Sequence, residues 1–393
     1  MSFNLFVGPK GKSLSVDRAV SALDWPLIGL LFLMLGIGLV VVESASITVA
    51  ETRHGDPFFF LKRQLFAVLL GTAVALWIVF RFTVEDMENW APLICLAVLV
   101  ALVVVLIPGI GHKVNGAQRW IRLGVMNVQV SEFAKIATTL YVASYLMRHG
   151  ERLQSSFDAF IKPLILLSLA GVLCLLEPDY GATVVLMTIA VGMIFLGGAR
   201  VGQFFLCLIL LVAIGGFFIY ISDYRMNRVV SFFDPWSDPF GGAFQLVQSL
   251  IAVGSGALTG VGFGGSVQKL LYLPEAHTDF VFAVYAEELG LIGVVVLVAL
   301  YALLVALMMR VARRAERVNR GFGAFVVYGV TIWVACQTFI SMSVNMGLLP
   351  TKGLTLPFMS YGGSSALALC IAFGIVVRIG LEATLYDTRE GRS

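Results

Sequence analysis

Apolar runs long enough to cross a lipid bilayer follow one another along almost the whole chain of 393 residues. A helix needs about 20 mainly apolar residues to span the hydrocarbon core. Runs that meet or approach this length lie at about 25–45, 62–80, 91–108, 131–147, 161–176, 182–198, 203–221, 287–309, 323–345 and 363–384. Charged residues make up only 13% of the chain, too few to cover the surface of a water-soluble protein of this size. The sequence therefore predicts an all-α integral membrane protein with about ten transmembrane helices.

The distribution of Lys and Arg predicts how these spans are oriented, because cytoplasmic connections carry the larger share of such residues. With a cytoplasmic N-terminus, the larger share falls inside, including the cluster Arg310–Arg320 between the eighth and ninth spans. We therefore expect a cytoplasmic segment at 1–24, a membrane domain at 25–384 and a cytoplasmic tail at 385–393. No stretch is a dense basic stripe with interleaved aromatic residues, so no nucleic-acid partner is expected.

The longest polar connection, at about 222–286 between spans seven and eight, is external in this orientation. Within it, Gln245–Val253 has the half-apolar pattern of a short helix that lies in the membrane interface. A long connection with structure of its own is usually functional. Its glycine-rich run, Gly254–Gly265, lacks the GxxxxGK[ST] pattern of a nucleotide-binding loop. Turns and close backbone approach are therefore the expected role of these glycines.

The end of this connection places polar residues at alternate positions, Glu275, His277 and Asp279. In an extended segment all three would point to one side, where they could hold a divalent ion such as Mg²⁺ or Mn²⁺. A polar loop whose residue Asp279 caps the next helix is an equally good interpretation. Because Asp279 stands where the loop enters an apolar helix, partial desolvation would make its carboxylate a better base.

Two sets of charged residues depart from the usual pattern of a membrane protein, one inside a span and one in the external connections. Lys135 and Glu132 lie three residues apart at the start of the fourth span, where they can pair on one helix face. A charge inside a span costs about 2.5–3.5 kcal/mol on insertion scales, so the pair is either functional or a buried structural ion pair. Arg119 and Lys352 lie in external connections, against the trend of the other cations. They are either ordinary loop charges or cations that await an anionic ligand.

The fifth and sixth spans are short and are separated only by Glu177-Pro178-Asp179-Tyr180-Gly181. Pro and Gly at these positions favour a tight turn between two helices over one long kinked helix. We expect the two carboxylates of such a turn, on Glu177 and Asp179, to be solvated.

Read together and in order, six motifs resemble the SEDS (shape, elongation, division, sporulation) family. They are Val114–Ile121 (VNGAQRWI), Ser131–Lys135 (SEFAK), Glu177–Thr183 (EPDYGAT), Asp234–Trp236 (DPW), Tyr272–Phe280 (YLPEAHTDF) and Lys352–Ser365 (KGLTLPFMSYGGSS). The resemblance runs from about residue 24 to 384, and the last motif is more similar to the cell-division branch than to the elongation branch. The chain departs from the family at Val130, where the family usually has Pro.

The resemblance implies a peptidoglycan glycosyltransferase of the bacterial inner membrane that polymerises lipid II into glycan strands at the division septum. Its termini would be cytoplasmic and its active face periplasmic. The implied partners are lipid II and the growing glycan strand, a class B penicillin-binding transpeptidase, periplasmic division regulators and membrane lipids. The family's catalytic carboxylate falls on Asp279, which Glu275 and His277 would support, alone or with a metal ion. The substrate-binding residues that the resemblance implies are Arg119, Lys135, Lys352 and Ser360.

Other functions remain open at this point. A lipid II flippase would need a charged relay through the bundle, and the sequence offers few mid-span charges besides Lys135 and Glu132. A scaffold that only recruits the transpeptidase would not need Asp279. The elongation enzyme of the same family would differ in cellular location and not in chemistry.

Overall fold

A computed structural model of the chain describes residues 6–8, 13–114, 117–124, 126–153, 156–221, 223–351 and 353–389. In chain order the helices are α1 Val16–Ser21, α2 Trp25–His54, α3 Phe59–Arg81, α4 Val84–Leu106, α5 Val130–Leu153, α6 Phe157–Leu176, α7 Tyr180–Leu196, α8 Val201–Tyr220, α9 Asp223–Phe233, α10 Phe244–Ser255, α11 Val281–Arg317, α12 Gly321–Asn345 and α13 Gly363–Arg389. The strands are β1 Phe6–Val7, β2 Ser13–Leu14, β3 Gly111–Val114, β4 Ala117–Leu123 and β5 Met126–Gln129. β1 pairs with β2, and β3, β4 and β5 form one antiparallel sheet.

Seven helices of the described ranges are long and apolar enough to cross a membrane, namely α2, α3, α4, α6, α11, α12 and α13. α7 and α8 are apolar over shorter stretches. α5, which carries Glu132, Lys135 and Arg148, is not among the seven. Each of the ten predicted spans coincides with one of these helices, so the prediction of a multi-pass, all-α membrane protein is confirmed. The number of helices that cross the bilayer stays a prediction.

Local signals in the sequence set several helix starts. The Asp24 side chain accepts a hydrogen bond from the backbone N–H of Leu27, and Pro26 occupies the first turn of α2, where its missing N–H costs nothing. Thr83 and Asp86 form a capping box at the start of α4, each side chain accepting from the backbone N–H of the other. Such caps satisfy N–H groups that have no partner within the helix.

Buried polar contacts fix the end of the bundle where α3 ends and α4 begins. Arg378 of α13 is fully buried and donates from Nη1 to the Val79 carbonyl at 2.7 Å. Its Nε donates to Glu382 at 2.9 Å, and the same carboxylate oxygen accepts from the backbone N–H of Val84 at 3.0 Å. α13 thereby holds the connection between α3 and α4. This is the cytoplasmic end in the predicted orientation.

The connections at the opposite end also contact one another. The backbone N–H of Gln129, at the end of β5, donates to Ser364 Oγ at the start of α13 at 2.9 Å. The N–H of Tyr361 donates to the His277 carbonyl at 2.8 Å, which joins the α12–α13 connection to the segment before α11. These contacts gather the predicted external connections into one layer.

α11 is broken at Gly290, whose backbone (φ 64°, ψ −165°) is one that glycine adopts readily and other residues do not. The break frees two carbonyls before Gly290 and two N–H groups after it. The glycine-rich run bonds all four: Val261 N to Glu287 O at 3.0 Å, Gly262 N to Glu288 O at 3.1 Å, Leu291 N to Ala257 O at 2.9 Å and Ile292 N to Leu258 O at 3.1 Å. The predicted role of these glycines in turns and close backbone approach is therefore confirmed.

The side chains of Glu287 and Glu288 bind the same external connection. Glu288 accepts from the buried Lys269 ammonium at 2.7 Å and from Ser44 Oγ of α2 at 2.7 Å. Glu287 accepts from the backbone N–H of Val267 at 3.1 Å. The connection is thus fixed to α11 and α2 by both backbone and side chains. It contains the two helices α9 and α10, and α10 covers the predicted Gln245–Val253.

We predict that Gly290→Ala destabilises the protein. A positive φ costs a non-glycine residue on the order of 1–3 kcal/mol, and the added methyl would stand 2.3 Å from Gly260 N. Thermal unfolding in detergent should therefore begin at a lower temperature. The control is Gly36→Ala in α2, where the new methyl has no neighbour within 4 Å. An unfolding temperature for Gly290→Ala equal to that of Gly36→Ala would contradict the role assigned to the break.

Candidate active site

Asp279 lies at the end of the external connection, immediately before Phe280, the N-cap residue of α11. The segment that precedes it is folded into a turn, because the Glu275 carbonyl accepts from the N–H groups of Thr278 and Asp279 at 3.1 and 3.2 Å. The expected extended segment, with Glu275, His277 and Asp279 on one side, is therefore wrong. The interpretation of Asp279 as the N-cap residue is also wrong, since that position belongs to Phe280.

The Asp279 carboxylate lies against the connection between α12 and α13. A methyl group at Gly353 would stand 2.9 Å from Oδ2 of Asp279. A methyl group at Gly181, in the first turn of α7, would stand 3.2 Å from the Gly353 carbonyl oxygen and 2.7 Å from the Leu354 side chain. The segment 353–354 thus contacts both Asp279 and the start of α7. Lys352, a predicted substrate-binding residue, directly precedes this segment and lies outside the described residues.

Asn345, the last residue of α12, ties Asp279 to the bundle. Its Nδ2 donates to the backbone carbonyl of Asp279 at 2.9 Å, and its Oδ1 accepts from the N–H of Ala283 at 3.1 Å. Asn345 is fully buried, whereas Asp279 is partly exposed. The start of α11 is therefore held from inside the bundle while Asp279 remains accessible from the external layer.

His277 packs between aromatic rings, with centroid distances of 4.5 Å to Phe60 and 5.7 Å to Tyr361. It is 7% exposed, and its Nδ1 has no hydrogen-bond partner in the part of the chain that the structure describes. Burial lowers the pKa of His277; Glu275 opposes this and the cation Arg53 adds to it. The contacts of His277 are therefore mainly ring packing, and its burial disfavours the charged form.

The predicted metal ion has no preformed site in the described ranges, where no three His, Cys, Asp or Glu side chains are placed to hold one. Glu275 is exposed, and its Oε2 accepts from Thr278 Oγ1 at 2.8 Å. A divalent ion at Glu275 and His277 stays a prediction, and no step of the chemistry below is assigned to one.

Lys135 is fully buried and fully partnered. Its ammonium donates to Glu132 at 2.8 Å and to Gln337 Oε1 of α12 at 3.0 Å, and it lies 4.8 Å from the ring centre of Trp333. The predicted pairing with Glu132 is confirmed. Gln337 also donates from Nε2 to the Thr355 carbonyl at 2.8 Å, so the network reaches the connection that contains Lys352. These contacts favour a structural role for Lys135; its contact with substrate stays a prediction.

Ser360, another predicted substrate-binding residue, is buried in the same connection. Its Oγ accepts from the N–H of Leu356 at 2.7 Å, and its carbonyl accepts from Gln64 Nε2 at 3.4 Å. Gln64 of α3 also accepts from the N–H of Gly362 at 3.1 Å. In this arrangement Ser360 shapes the connection, and its contact with substrate stays a prediction.

Arg119, on β4, contacts the turn between α6 and α7. Its Nε donates to the Glu177 carbonyl at 3.0 Å and its Nη2 donates to the Pro178 carbonyl. The guanidinium therefore holds the turn in this arrangement, as in the loop-charge interpretation. The turn that Arg119 holds directly precedes the first turn of α7, which contacts the segment 353–354. Binding of an anionic substrate by Arg119 stays a prediction.

The turn itself is as predicted, but its carboxylates are not solvated. Asp179 is buried because it joins three elements: its carboxylate accepts from Gln129 Nε2 and Ser131 Oγ, both at 2.8 Å, and from the N–H of Ala182 at 3.2 Å. Glu177 has no exposed surface, and neither of its carboxylate oxygens has a hydrogen-bond partner within the described ranges. The expectation was wrong because sequence does not show that the sheet β3–β5 packs over this turn.

Sequence reasoning missed Asn345, Gly353 and Gln337. Asn345 and Gln337 were visible as amides inside an otherwise apolar span, a pattern that marks polar side chains buried between helices. Gly353 carried no such signal, since its role depends on a carboxylate more than seventy residues earlier in the chain.

The comparisons with known proteins identify the family of the chain. The family described as cell cycle protein FtsW/RodA/SpoVE matches residues 25–385. A protein of Thioalkalivibrio sulfidiphilus named probable peptidoglycan glycosyltransferase FtsW is 50% identical over 372 residues, which cover 95% of this chain and 92% of that one. A protein of the same name from Methylococcus capsulatus is 46% identical over 392 residues, covering 100% and 98%.

Two solved structures have the same fold. One belongs to a peptidoglycan synthase complex that coordinates polymerization and crosslinking, with a TM-score of 0.75, 28% identity and coverage of 92% of this chain and 98% of that one. The other is the rod shape determining protein RodA of Thermus thermophilus, with a TM-score of 0.67, 28% identity and coverage of 91% and 97%. The chain belongs to the FtsW/RodA/SpoVE family, and the SEDS resemblance of its motifs is confirmed.

We predict a pH-dependent stability that depends on Glu177. Burial raises the pKa of this carboxyl to about 8, and Asp179 adds to the shift while Arg119 opposes it. The stability that the protonated carboxyl contributes is present below its ordinary pKa of 4.5 and is lost as the pH rises through about 8. Since glutamine does not ionise, Glu177→Gln should become more stable relative to the parent between pH 5 and pH 8.

The measurement is thermal unfolding of both proteins in detergent from pH 5 to pH 9. The difference in unfolding temperature between the two proteins at pH 5 serves as the baseline, because it contains the cost of packing the amide in place of the protonated carboxyl. A difference that stays constant across this range would contradict the assignment.

Proposed function

We propose that this chain is a peptidoglycan glycosyltransferase that polymerises lipid II into glycan strands on the periplasmic face of the inner membrane, at the division septum. The observation that carries the proposal is the placement of Asp279: a partly exposed carboxylate, held by its backbone at the start of a membrane helix, in the layer of predicted external connections. A lipid-linked sugar diphosphate presents its reactive atoms at this depth. The names of the 50% and 46% identical relatives support the activity.

The chemistry requires one base and stabilisation of one leaving group. A sugar hydroxyl of one substrate attacks the anomeric carbon of the other, a new C–O bond forms, and the bond to the lipid diphosphate breaks. Asp279 takes the proton of the attacking hydroxyl as general base. Lys352 and Arg119 are the cations we assign to the departing diphosphate, where fixed positive charge stabilises the transition state. Lys135 and Ser360 contribute by holding the connection that carries Lys352.

For Arg119 this assignment is compatible with its contacts to the turn. Its guanidinium has five N–H donors, and two of its nitrogens bind carbonyls of the α6–α7 turn. The remaining donors are available to a phosphate oxygen while both contacts with the turn stay in place.

The partner we propose is a class B penicillin-binding transpeptidase, which would cross-link the strands as they form. Support comes from the solved synthase complex, in which polymerization and crosslinking are coordinated. Periplasmic division regulators, membrane lipids and cytoplasmic termini belong to the same proposal. The similarity to relatives named FtsW favours the division branch over the elongation branch.

The flippase alternative is tested with the same protein. Purified chain, with and without the partner transpeptidase and with and without EDTA, is given fluorescent lipid II in detergent and in vesicles. Polymer on a gel supports the glycosyltransferase. Movement of the dye across the vesicle membrane without polymer would overturn the proposal in favour of the flippase.

We predict that Asp279→Asn lowers the rate of polymerisation about 10²–10⁴-fold, the usual effect of losing a general base. The amide keeps the shape of the carboxylate and cannot take the proton. The variant should fold, reach the membrane and bind lipid II. The matched control is Asp238→Asn, the same substitution at an exposed carboxylate of the same external connection.

Activity of Asp279→Asn within a few-fold of the parent, at equal occupancy by the partner, would contradict the role of Asp279 as base. In that case Glu275→Gln identifies whether Glu275 is the base instead.

We predict that Arg119→Ala and Lys352→Ala each lower kcat/KM for lipid II by about 10- to 100-fold, the effect of losing one charge-assisted hydrogen bond of about 1.5–3 kcal/mol. Arg119→Lys separates the two interpretations of Arg119. Lysine keeps the positive charge but not the planar set of donors that holds the turn. If Arg119 only holds the turn, both its variants lower the unfolding temperature and lose activity in proportion to folded protein.

A further inference from the structure

The amide of Asn345 is the contact that joins Asp279 to the interior of the bundle. It ends α12, has no exposed surface and uses its side chain fully: Nδ2 donates to the carbonyls of Asp279 at 2.9 Å and Ser341 at 2.8 Å, and Oδ1 accepts from the N–H of Ala283 at 3.1 Å. Its own carbonyl accepts from Ser249 Oγ of α10 at 2.7 Å. One residue therefore connects α10, α11 and α12.

Only an amide satisfies this set of partners. Two backbone carbonyls need two donors, and one N–H needs an acceptor, which is the complement that the amide of Asn carries. A carboxylate at this position would accept from Ala283 but could not donate to both carbonyls. A hydroxyl is too short and has one proton. Because the site is buried, a donor or acceptor left without a partner here has no water to replace it.

Asn345 makes two contacts at the start of α11, one to the Asp279 carbonyl before the first helical residue and one to the Ala283 N–H after it. Ala283 belongs to the first turn, and its N–H is shared between the Phe280 carbonyl at 3.0 Å and Asn345 Oδ1 at 3.1 Å. Phe280 supplies no side-chain cap, so the Asn345 oxygen takes that place from another helix. The Asp279 carbonyl is held by the nitrogen of the same amide. The backbone of Asp279 is thus fixed relative to α12, and its carboxylate is directed toward Gly353.

We infer that Asn345 is a positioning residue for polymerisation: it sets the position of the Asp279 carboxylate against segment 353–354 and touches neither substrate nor reacting atoms. The inference rests on the proposed function, since it takes Asp279 as the base. A displacement of about 1 Å at a reacting group can cost on the order of 10²-fold in rate. Asn345 then acts on kcat, because substrate binding belongs to other groups.

The test is a double-variant cycle on the full chain in complex with its partner transpeptidase. Polymerisation of radiolabelled lipid II is measured for the parent, Asn345→Ala, Asp279→Asn and the double variant. We expect Asn345→Ala to lower kcat about 10- to 100-fold with KM within about threefold of the parent. In the Asp279→Asn background the same substitution should change the rate by less than about threefold, because the group it positions is already lost.

A second variant and a control keep this test decisive. Asn345→Gln keeps the two donors and the acceptor of the amide but moves them by one methylene. It supplies folded protein if Asn345→Ala does not fold, and it should show the same pattern. Thr331→Val is the control: Thr331 is buried in α12, and among the described residues its Oγ1 donates to Val327 O of the same helix at 2.7 Å. It should leave kcat within about twofold of the parent in both backgrounds.

The outcomes separate the inference from the proposed function. Absence of polymer from the parent complex would overturn the proposed function itself. If the parent polymerises and Asp279→Asn is impaired, equal fold-losses from the Asn345 variants in both backgrounds, or losses proportional to folded protein, would overturn only the positioning role. If the Asn345 variants lose kcat when Asp279 is present and not in the Asp279→Asn background, the positioning role is established.

Discussion

Paired backbone groups are the constraint on which this structure depends, because a bilayer offers no water to an unpaired N–H or C=O. α11 is broken at Gly290 and yet its freed groups are bonded, since the glycine-rich run lies against the break. A methyl group at Gly260 would stand 2.0 Å from the Glu288 carbonyl oxygen, so this close approach needs glycine. The external connection is thereby fixed to the helix that begins just after Asp279. The candidate site gains the rigidity of the bundle although most of it lies in connections.

α12 supplies the polar contacts that reach this site from inside. Four of its buried side chains are spaced by four residues and so lie along one face of the helix: Trp333, Gln337, Ser341 and Asn345. The middle of this stripe holds Lys135 and, through Gln337, the connection next to Lys352. Its end holds Asp279. One helix face thus sets the position of Asp279, the proposed base, relative to the connection that carries Lys352, which we propose binds the diphosphate.

The sequence predicted the helices well because its apolar runs meet or approach the length that a bilayer demands, and it predicted the Lys135–Glu132 pair because both residues share one helix face. It predicted the site less well, because that site is built by contacts between distant connections. The alternating positions of Glu275 and Asp279 suggested an extended strand, but the Glu275 carbonyl folds the segment into a turn. Glu177 was expected to be solvated, but strands β4 and β5 contact its turn through Arg119 and Gln129, and Glu177 is buried. The periodicity of a sequence describes single helices and strands. The turn at Glu275 and the burial of Glu177 depend instead on how distant connections pack against one another.

The central claim is that Asp279 receives the proton of the attacking sugar hydroxyl while external cations hold the diphosphate. A structure of the chain with its partner transpeptidase and bound lipid II tests this claim most directly. We expect a sugar hydroxyl within about 2.6–3.2 Å of the Asp279 carboxylate and the diphosphate between Lys352 and Arg119. A bound substrate whose hydroxyl groups all lie beyond the reach of Asp279, even through one water, would contradict it.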